Sequence, residues 1–202
     1  MEIRLFHVVS MLKKRLGIEG IERRLVWYYY KIPTTLIIPE GCRWIRDGAF
    51  RYCIKLKKVI IPGSVEEIGD EAFASCSGLE EIVIPESVKK IYTGVFWSCE
   101  KLRKVEIPKN IRCIESSVFQ YCSSLEEIVI PKSCKRIGKS AFADCRNLRK
   151  VVIPESVEVI NDRAFRRCEK AVVVLEKPER EFEEIGQNAF KGCKDVKEKT
   201  RD

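Results

Sequence analysis

The chain has 202 residues, of which 45% are hydrophobic and 34% charged, and it carries a formal net charge of +8. That composition describes a folded, soluble protein, and no apolar run approaches the roughly 18 residues of a membrane helix, so membrane insertion is not expected. The positive charge lies at the two ends, with seven basic and three acidic side chains in residues 1–31 and five and three in residues 191–202. A near-neutral body between basic ends argues against a dedicated nucleic-acid groove, which would concentrate Lys and Arg on one face among aromatic platforms.

Residues 1–31 read as an N-terminal cap. Ile3, Leu5, Phe6, Val9 and Leu12 suit a short amphipathic helix. After it, Ile18-Glu-Gly-Ile21 echoes Val65-Glu-Glu-Ile68 as a degenerate half-repeat, one residue out of phase with the later copies. The apolar stretch Leu5–Leu12 is broken by His7 and followed by Lys13, Lys14 and Arg15, the wrong flank for a secretory signal, which stands only as the alternative. Trp27 and Tyr28 to Tyr30 are apolar enough to cover the first rung of a stack.

Residues 32–193 repeat. Pro39, Pro62, Pro85, Pro108, Pro131 and Pro154 are 23 residues apart, and Phe50, Phe73, Phe96, Phe119, Phe142 and Phe165 keep the same period. A fixed period in this range means a stacked array, here about six repeats and a partial last one. Each repeat opens with an extended β-branched piece such as Ile82-Val-Ile84, closed by a proline that lacks the N–H to continue a ladder. A compact turn such as Ala72-Phe73-Ala-Ser-Cys76 comes next, in which Ala and Cys at i and i+4 would share a helical face. Between the two, Val65-x-x-Ile68 and its copies send apolar side chains inward; spacing leaves open whether that link is a short strand or irregular. Past Cys168 the pattern slips by one residue at Pro178 and by another at Ile185 and Phe190, which predicts a bulged or loosened last rung. Residues 194–202 read as a charged C-terminal tail.

Seven of the ten cysteines, from Cys53 to Cys193, stand three residues after the repeated phenylalanine. Stacked rungs point neighbouring side chains the same way, which suits a column of small buried hydrophobes and not the geometry of a disulfide. No C-x-x-C pair offers a zinc site. A reduced, cytoplasmic setting is therefore expected, with the cell surface as the alternative. At the start of each strand the charge alternates: Lys57-Lys58, Glu80-Glu81, Arg103-Lys104, Glu126-Glu127, Arg149-Lys150. Neighbours of opposite sign across a ladder attract, so the alternation reads as a guard on register.

The phrase Leu-x-x-Ile-x-Ile-Pro-x-Ser-Val-x-x-Ile-Gly-x-x-Ala-Phe-x-x-Cys is visible almost whole in Leu56–Cys76 and Leu125–Cys145. It resembles the BspA-like class of leucine-rich repeats. The resemblance implies an α/β solenoid: a right-handed leucine-rich-repeat superhelix with a parallel β-sheet on its concave side and short helical turns opposite. It also implies a non-catalytic binding or adhesion protein, since members of that class are largely of this kind and often stand on the cell surface.

Candidate chemistry is sparse. His7 is the sole histidine, so a histidine-based dyad or triad has one possible base, outside the repeats. No phosphate-binding glycine loop is present, because Gly69, Gly138 and Gly186 recur at one repeat phase as turn residues would. No cofactor, metal or small-molecule substrate is expected. A protein partner is, with self-assembly into a homo-oligomer or adhesive element as the alternative. The middle residue of each strand points outward, giving the column Ile37, Ile60, Val83, Glu106, Val129 and Val152 as the candidate contact face, although β-branched residues also simply suit a sheet. Trp97 and Tyr121 form a possible aromatic contact on the turn side. Cys113 replaces charged residues at its phase and reads as an exposed thiol beside Arg112 and Lys90.

Overall fold

The computed structural model describes residues 34–199 together with the two-residue strand Gly20–Ile21. His7, Trp27, Tyr28 to Tyr30 and the helix expected over residues 3–12 lie outside the described residues.

β-Branched residues that alternate between core and solvent make short strands, and proline ends each one. In β6, buried Ile82 sits between exposed Glu81 and Val83, and Pro85 stands two residues further on. In chain order the strands are β1 (Gly20–Ile21), β2 (Thr35–Ile37), β3 (Trp44–Ile45), β4 (Lys58–Ile60) and β5 (Glu67–Ile68). Next come β6 (Glu81–Val83), β7 (Lys90–Ile91), β8 (Lys104–Glu106), β9 (Cys113–Ile114) and β10 (Arg136–Ile137). The last are β11 (Lys150–Ile153), β12 (Val159–Ile160), β13 (Val172–Leu175), β14 (Glu184–Ile185) and β15 (Asp195–Glu198).

Every pairing is parallel, and strands pair with their counterparts one coil away. The wide ladder runs β2-β4-β6-β8, with Leu36, Val59, Ile82 and Val105 in one inward column. It resumes as β11-β13-β15. Between the two halves, the fifth coil contributes only the single bridges from Glu127 to Lys104 and Lys150, and Ile128 to Ile130 form no strand. The narrow ladder, β1-β3-β5-β7 and then β9-β10-β12-β14, shows that the Val-x-x-Ile link is a two-residue strand. Ile21 pairs with Ile45, 24 residues on, where Ile45 and Ile68 are 23 apart. The molecule is a parallel-strand β-solenoid of about seven coils.

The Ala-Phe turn is not helical, which corrects the expectation of short helical turns. The N–H groups of Ala72, Ala74 and Cys76 reach back three residues, to Gly69, Glu71 and Phe73. Those of Glu71, Phe73 and Ser75 donate instead to Thr93, Val95 and Trp97 in the next coil. A helix would spend each of these donors within its own turn. The alternation is possible because two residues per turn adopt left-handed backbone, Glu71 at φ 54° and Ser75 at φ 56° in this coil. Among the described residues the only helical element is the 3-10 turn Glu179–Glu181.

The core is a set of columns. Phe50, Phe73, Phe96, Phe119, Phe142, Phe165 and Phe190 stack with successive ring centroids 5.0 to 5.9 Å apart and planes within 16°. All ten cysteines are free. The thiols of Cys76, Cys99, Cys122, Cys145 and Cys168 each donate to the main-chain carbonyl of a phenylalanine one coil back, at 3.1 to 3.3 Å. Burial pushes up the thiols of Cys99, Cys122 and Cys145, and the neighbouring thiols of Cys53 and Cys193, followed by burial, push up those of Cys76 and Cys168, so all five stay protonated and able to donate. The serine of the Pro-x-Ser-Val phrase acts in the same way: Ser64 and Ser87 hydroxyls donate to the Cys42 and Val65 carbonyls at 3.0 and 2.7 Å. Gly138 is required for close approach and not for a left-handed turn, since a Cβ there would lie 2.6 Å from backbone atoms of Glu115 and Ser116.

The alternating charges face one another. Lys58 pairs in register with Glu81, and Glu81 with Lys104. Ion pairs close at 3.2 Å between Lys58 and Glu81, 3.7 Å between Lys57 and Glu80, and 3.2 Å between Arg149 and Glu126. At the narrow ladder, Lys89 and Arg43 flank Glu66 at 2.7 and 2.8 Å and hold its carboxyl below the usual range.

The C-terminal coil departs from expectation. β13 spans four residues and pairs fully with β11 and β15, so the sheet is not loosened there. The chain between β13 and β14 includes the 3-10 turn, and Phe190 still stacks on Phe165 at 5.9 Å. Within the stretch read as a charged tail, Asp195–Glu198 is a strand, because half-buried Val196 packs on the core beside Val173.

Candidate functional site

On a strand whose flanking side chains point inward, the middle one must face solvent. Register places Ile37, Ile60, Val83 and Glu106 one above another. Ile37 and Ile60 are 42% and 43% exposed, Val83 66% and Val129 77%. Val152 is half-buried and pairs with Val174, which extends the column beyond the residues read from the sequence. Glu106 interrupts the apolar run and binds Lys104 on its own strand at 3.2 Å.

Where the wide ladder thins, the face holds an open groove of about 720 Å³. Its floor comprises Ile128, Val129, Pro131, Val152 and Pro154, and Lys109, Lys132, Arg149 and Lys150 stand around it with Glu127 and Glu176. Sequence reasoning read Arg149 and Lys150 as guards on register and missed Lys109 and Lys132. Their signal was present in the phase after proline, where Glu86 gives way to Lys109 and Lys132 on the next two coils, but each lysine alone looks like an ordinary solvated charge.

The turn side holds the aromatic pair. The Trp97 and Tyr121 rings meet edge to face with centroids 6.1 Å apart, although the two residues are 24 positions apart and sit on successive coils. Trp97 is half-buried and Tyr121 exposed. Tyr52, at the phase of Tyr121 but three coils earlier, lies under the Arg51 guanidinium at 4.8 Å.

Cys113 is half-buried, and Arg136 and Glu115 are the charged groups that act on it. The Arg136 Nε–H donates to its sulfur at 3.2 Å. Burial, and then Glu115, push the thiol up to about 12. The environment therefore disfavours the thiolate that a reactive cysteine needs.

A second cleft, of about 470 Å³, lies beside the narrow ladder between Trp44, Asp47, Asp70 and Tyr92. Its carboxylates already serve the fold: Asp47 accepts from the Asp70 N–H at 2.9 Å and Asp70 from the Thr93 N–H at 2.8 Å. Among the described residues no group of three or more His, Cys, Asp or Glu side chains is placed to hold a metal ion. No helix among them is long and apolar enough to cross a membrane.

Residues 43–172 match the BspA type leucine rich repeat region in six copies. The chain belongs to this family. A leucine rich repeat protein of T. pallidum is similar in structure over 75% of this chain and 73% of its own, with 32% identity and a TM-score of 0.70. A leucine-rich repeat protein from Bacteroides ovatus matches 79% of this chain and 46% of its own at 29% identity and a TM-score of 0.62. One from Eubacterium ventriosum matches 81% and 44% at 26% identity and a TM-score of 0.69. This BspA-type chain thus spans less than half the length of the latter two. No functionally curated protein matches it.

Proposed function

We propose that this BspA-type solenoid is a non-catalytic protein-binding module, and that the outward column of its wide sheet carries the contact. One observation supports the assignment above the others. Of the seven large hydrophobic residues exposed on the described surface, four, Ile37, Ile60, Val83 and Val129, share this single column. Scattered exposed hydrophobes are ordinary, whereas an aligned set on a rigid face marks a contact surface. A stacked array also suits the role, because each coil adds area to one continuous face.

Affinity capture from the native host with the wild type and with the triple variant Ile60→Ser, Val83→Ser, Val129→Ser tests the assignment. The outward positions contribute little to the core, so the variant keeps its fold by circular dichroism and loses the captured protein. Unchanged capture would remove this face from the account. Self-assembly is the weaker alternative. Strand β15 carries Asp195, Lys197 and Glu198, and charge on an edge strand opposes pairing with another copy. Light scattering across concentration separates the two.

A reducing compartment suits the thiol column, since a sulfur that donates to a carbonyl has to stay unoxidised. Cell-surface display is the competing placement, and fractionation of host cells decides between them.

A further inference from the structure

We propose that the groove over the fifth and sixth coils takes an extended peptide segment of a protein partner in which carboxylates flank a short aliphatic stretch. This rests on the binding role of the sheet face and gives it a chemistry.

The groove sits where the regular sheet is interrupted. Strands β8 and β11 stand on either side of Ile128 to Ile130, which form no strand, and Val129 is the most exposed of the large hydrophobic residues among those described. The floor is aliphatic, with Val129 exposed, Val152 half-buried, and Pro131 and Pro154 buried beneath them. Water is a poor occupant of such a floor, and an aliphatic side chain a good one.

Charge selects the flanks. Lys150 and Arg149, the latter paired with Glu126 at 3.2 Å, stand just before the strand position, and Lys109 and Lys132 just after the proline, so cations border the floor at both ends. Lys109, Lys132 and Lys150 make no ion pair with the described residues, whereas Lys57 and Lys58 on an earlier coil spend theirs on Glu80 and Glu81. Of the two acids at the groove, Glu127 lies in register with Lys150 and Glu176 is engaged by Lys199 at 3.7 Å, which leaves Lys109 and Lys132 as the unopposed cations. The surplus positive charge is complementary to carboxylates on the ligand.

The span sets the spacing. Lys150 sits on the next coil at the phase of residue 127, five positions before that of Lys132, and five extended steps of about 3.3 Å bound the separation of the two cationic ends at roughly 16 Å. An extended peptide crosses that distance in about five residues, which puts its acidic groups four or five positions apart. A nucleic acid fits less well, because no aromatic ring lines the groove and single strands bind by stacking on rings as well as by charge.

The test is a fluorescence anisotropy titration of the full chain against a labelled peptide Asp-Glu-Val-Ile-Val-Glu-Asp. Companion probes replace the acids by Lys, replace Val-Ile-Val by Ser-Ser-Ser, or substitute an oligonucleotide of matched charge or anionic lipid vesicles. Saturable binding is expected, at least tenfold tighter than to any companion. The pair Lys132→Glu and Lys150→Glu is expected to weaken it tenfold or more, and the distant Lys101→Glu to leave it unchanged. Val129→Ser, an exposed change that the fold tolerates, should weaken it too. Absence of binding, equal binding to any companion, or indifference to Lys132 and Lys150 would overturn the proposal. If peptide binding fails while host capture still depends on Ile60 and Val83, only the groove chemistry is lost. If peptide binding succeeds while capture ignores the column, the groove stands and the wider face falls.

Discussion

The thiol of Cys122 donates to the main-chain carbonyl of Phe96 at 3.2 Å, and the same oxygen accepts the Cys99 N–H at 3.1 Å. Both acceptor sites of a buried carbonyl are filled, one from its own coil and one from the next. The repeated cysteine is therefore a link between coils as well as a small hydrophobe. Cys122→Ala removes the donor and leaves a small void, and it is expected to cost about 1–2 kcal/mol. Cys122→Ser keeps a donor and should cost less than the alanine variant. Urea unfolding measures both, and equal losses would reduce the cysteine to packing alone.

Stacked coils interact with nearest neighbours, so the position of a phenylalanine in the stack should set its worth. Phe119 lies between rings at 5.5 and 5.3 Å and is fully buried, while half-buried Phe190 stacks on Phe165 alone. Phe119→Ala is expected to lose about 3–5 kcal/mol and Phe190→Ala roughly half of that. Equal losses, or a larger one at Phe190, would contradict the nearest-neighbour picture.

Register is guarded by charge. Lys58→Glu sets two carboxylates opposite each other at strand spacing and is expected to cost about 0.5–1 kcal/mol at low salt, and less at roughly 0.5 M salt. Adding Glu81→Lys to that variant should restore much of the loss, though Lys104 on the far side of position 81 limits the recovery. A salt-independent penalty would point to packing in place of charge.

Cys113 should be slow to label at neutral pH despite its partial exposure. With its thiol pushed up to about 12, roughly one molecule in ten thousand carries the thiolate at pH 8. The rate of alkylation by iodoacetamide is expected to rise about tenfold per pH unit up to about pH 11, with Glu115→Gln labelling faster at every pH. Rapid modification at pH 8 would show that the sulfur lies outside the field of Glu115.

Periodicity was legible because proline, phenylalanine and cysteine each need one environment, and a stack offers the same one on every coil. The conformation of the Ala-Phe turn was not. Alanine and cysteine four apart suit a helix and also suit the alternating ladder. The left-handed positions that decide between them are held by Glu71, Ser75, Tyr121 and Arg167 as readily as by Gly94. The interruption of the sheet was not legible either. Glu-Glu-Ile-Val-Ile-Pro stands at both 80–85 and 126–131, yet only the first copy forms a strand. Identical local sequence with different outcomes means that neighbouring coils decide. The outward column was readable from alternation within each strand, whereas the cations around the groove come from three separate coils and converge only in space.

Hydroxyl-radical footprinting of the chain with and without its captured partner tests the central claim most directly, because it reports the solvent access of individual side chains. The account predicts protection of Ile60, Val83 and Val129, with Trp97 and Tyr121 on the turn side unaffected. Protection confined to Trp97 and Tyr121, with the sheet column as reactive as in the free protein, would contradict it.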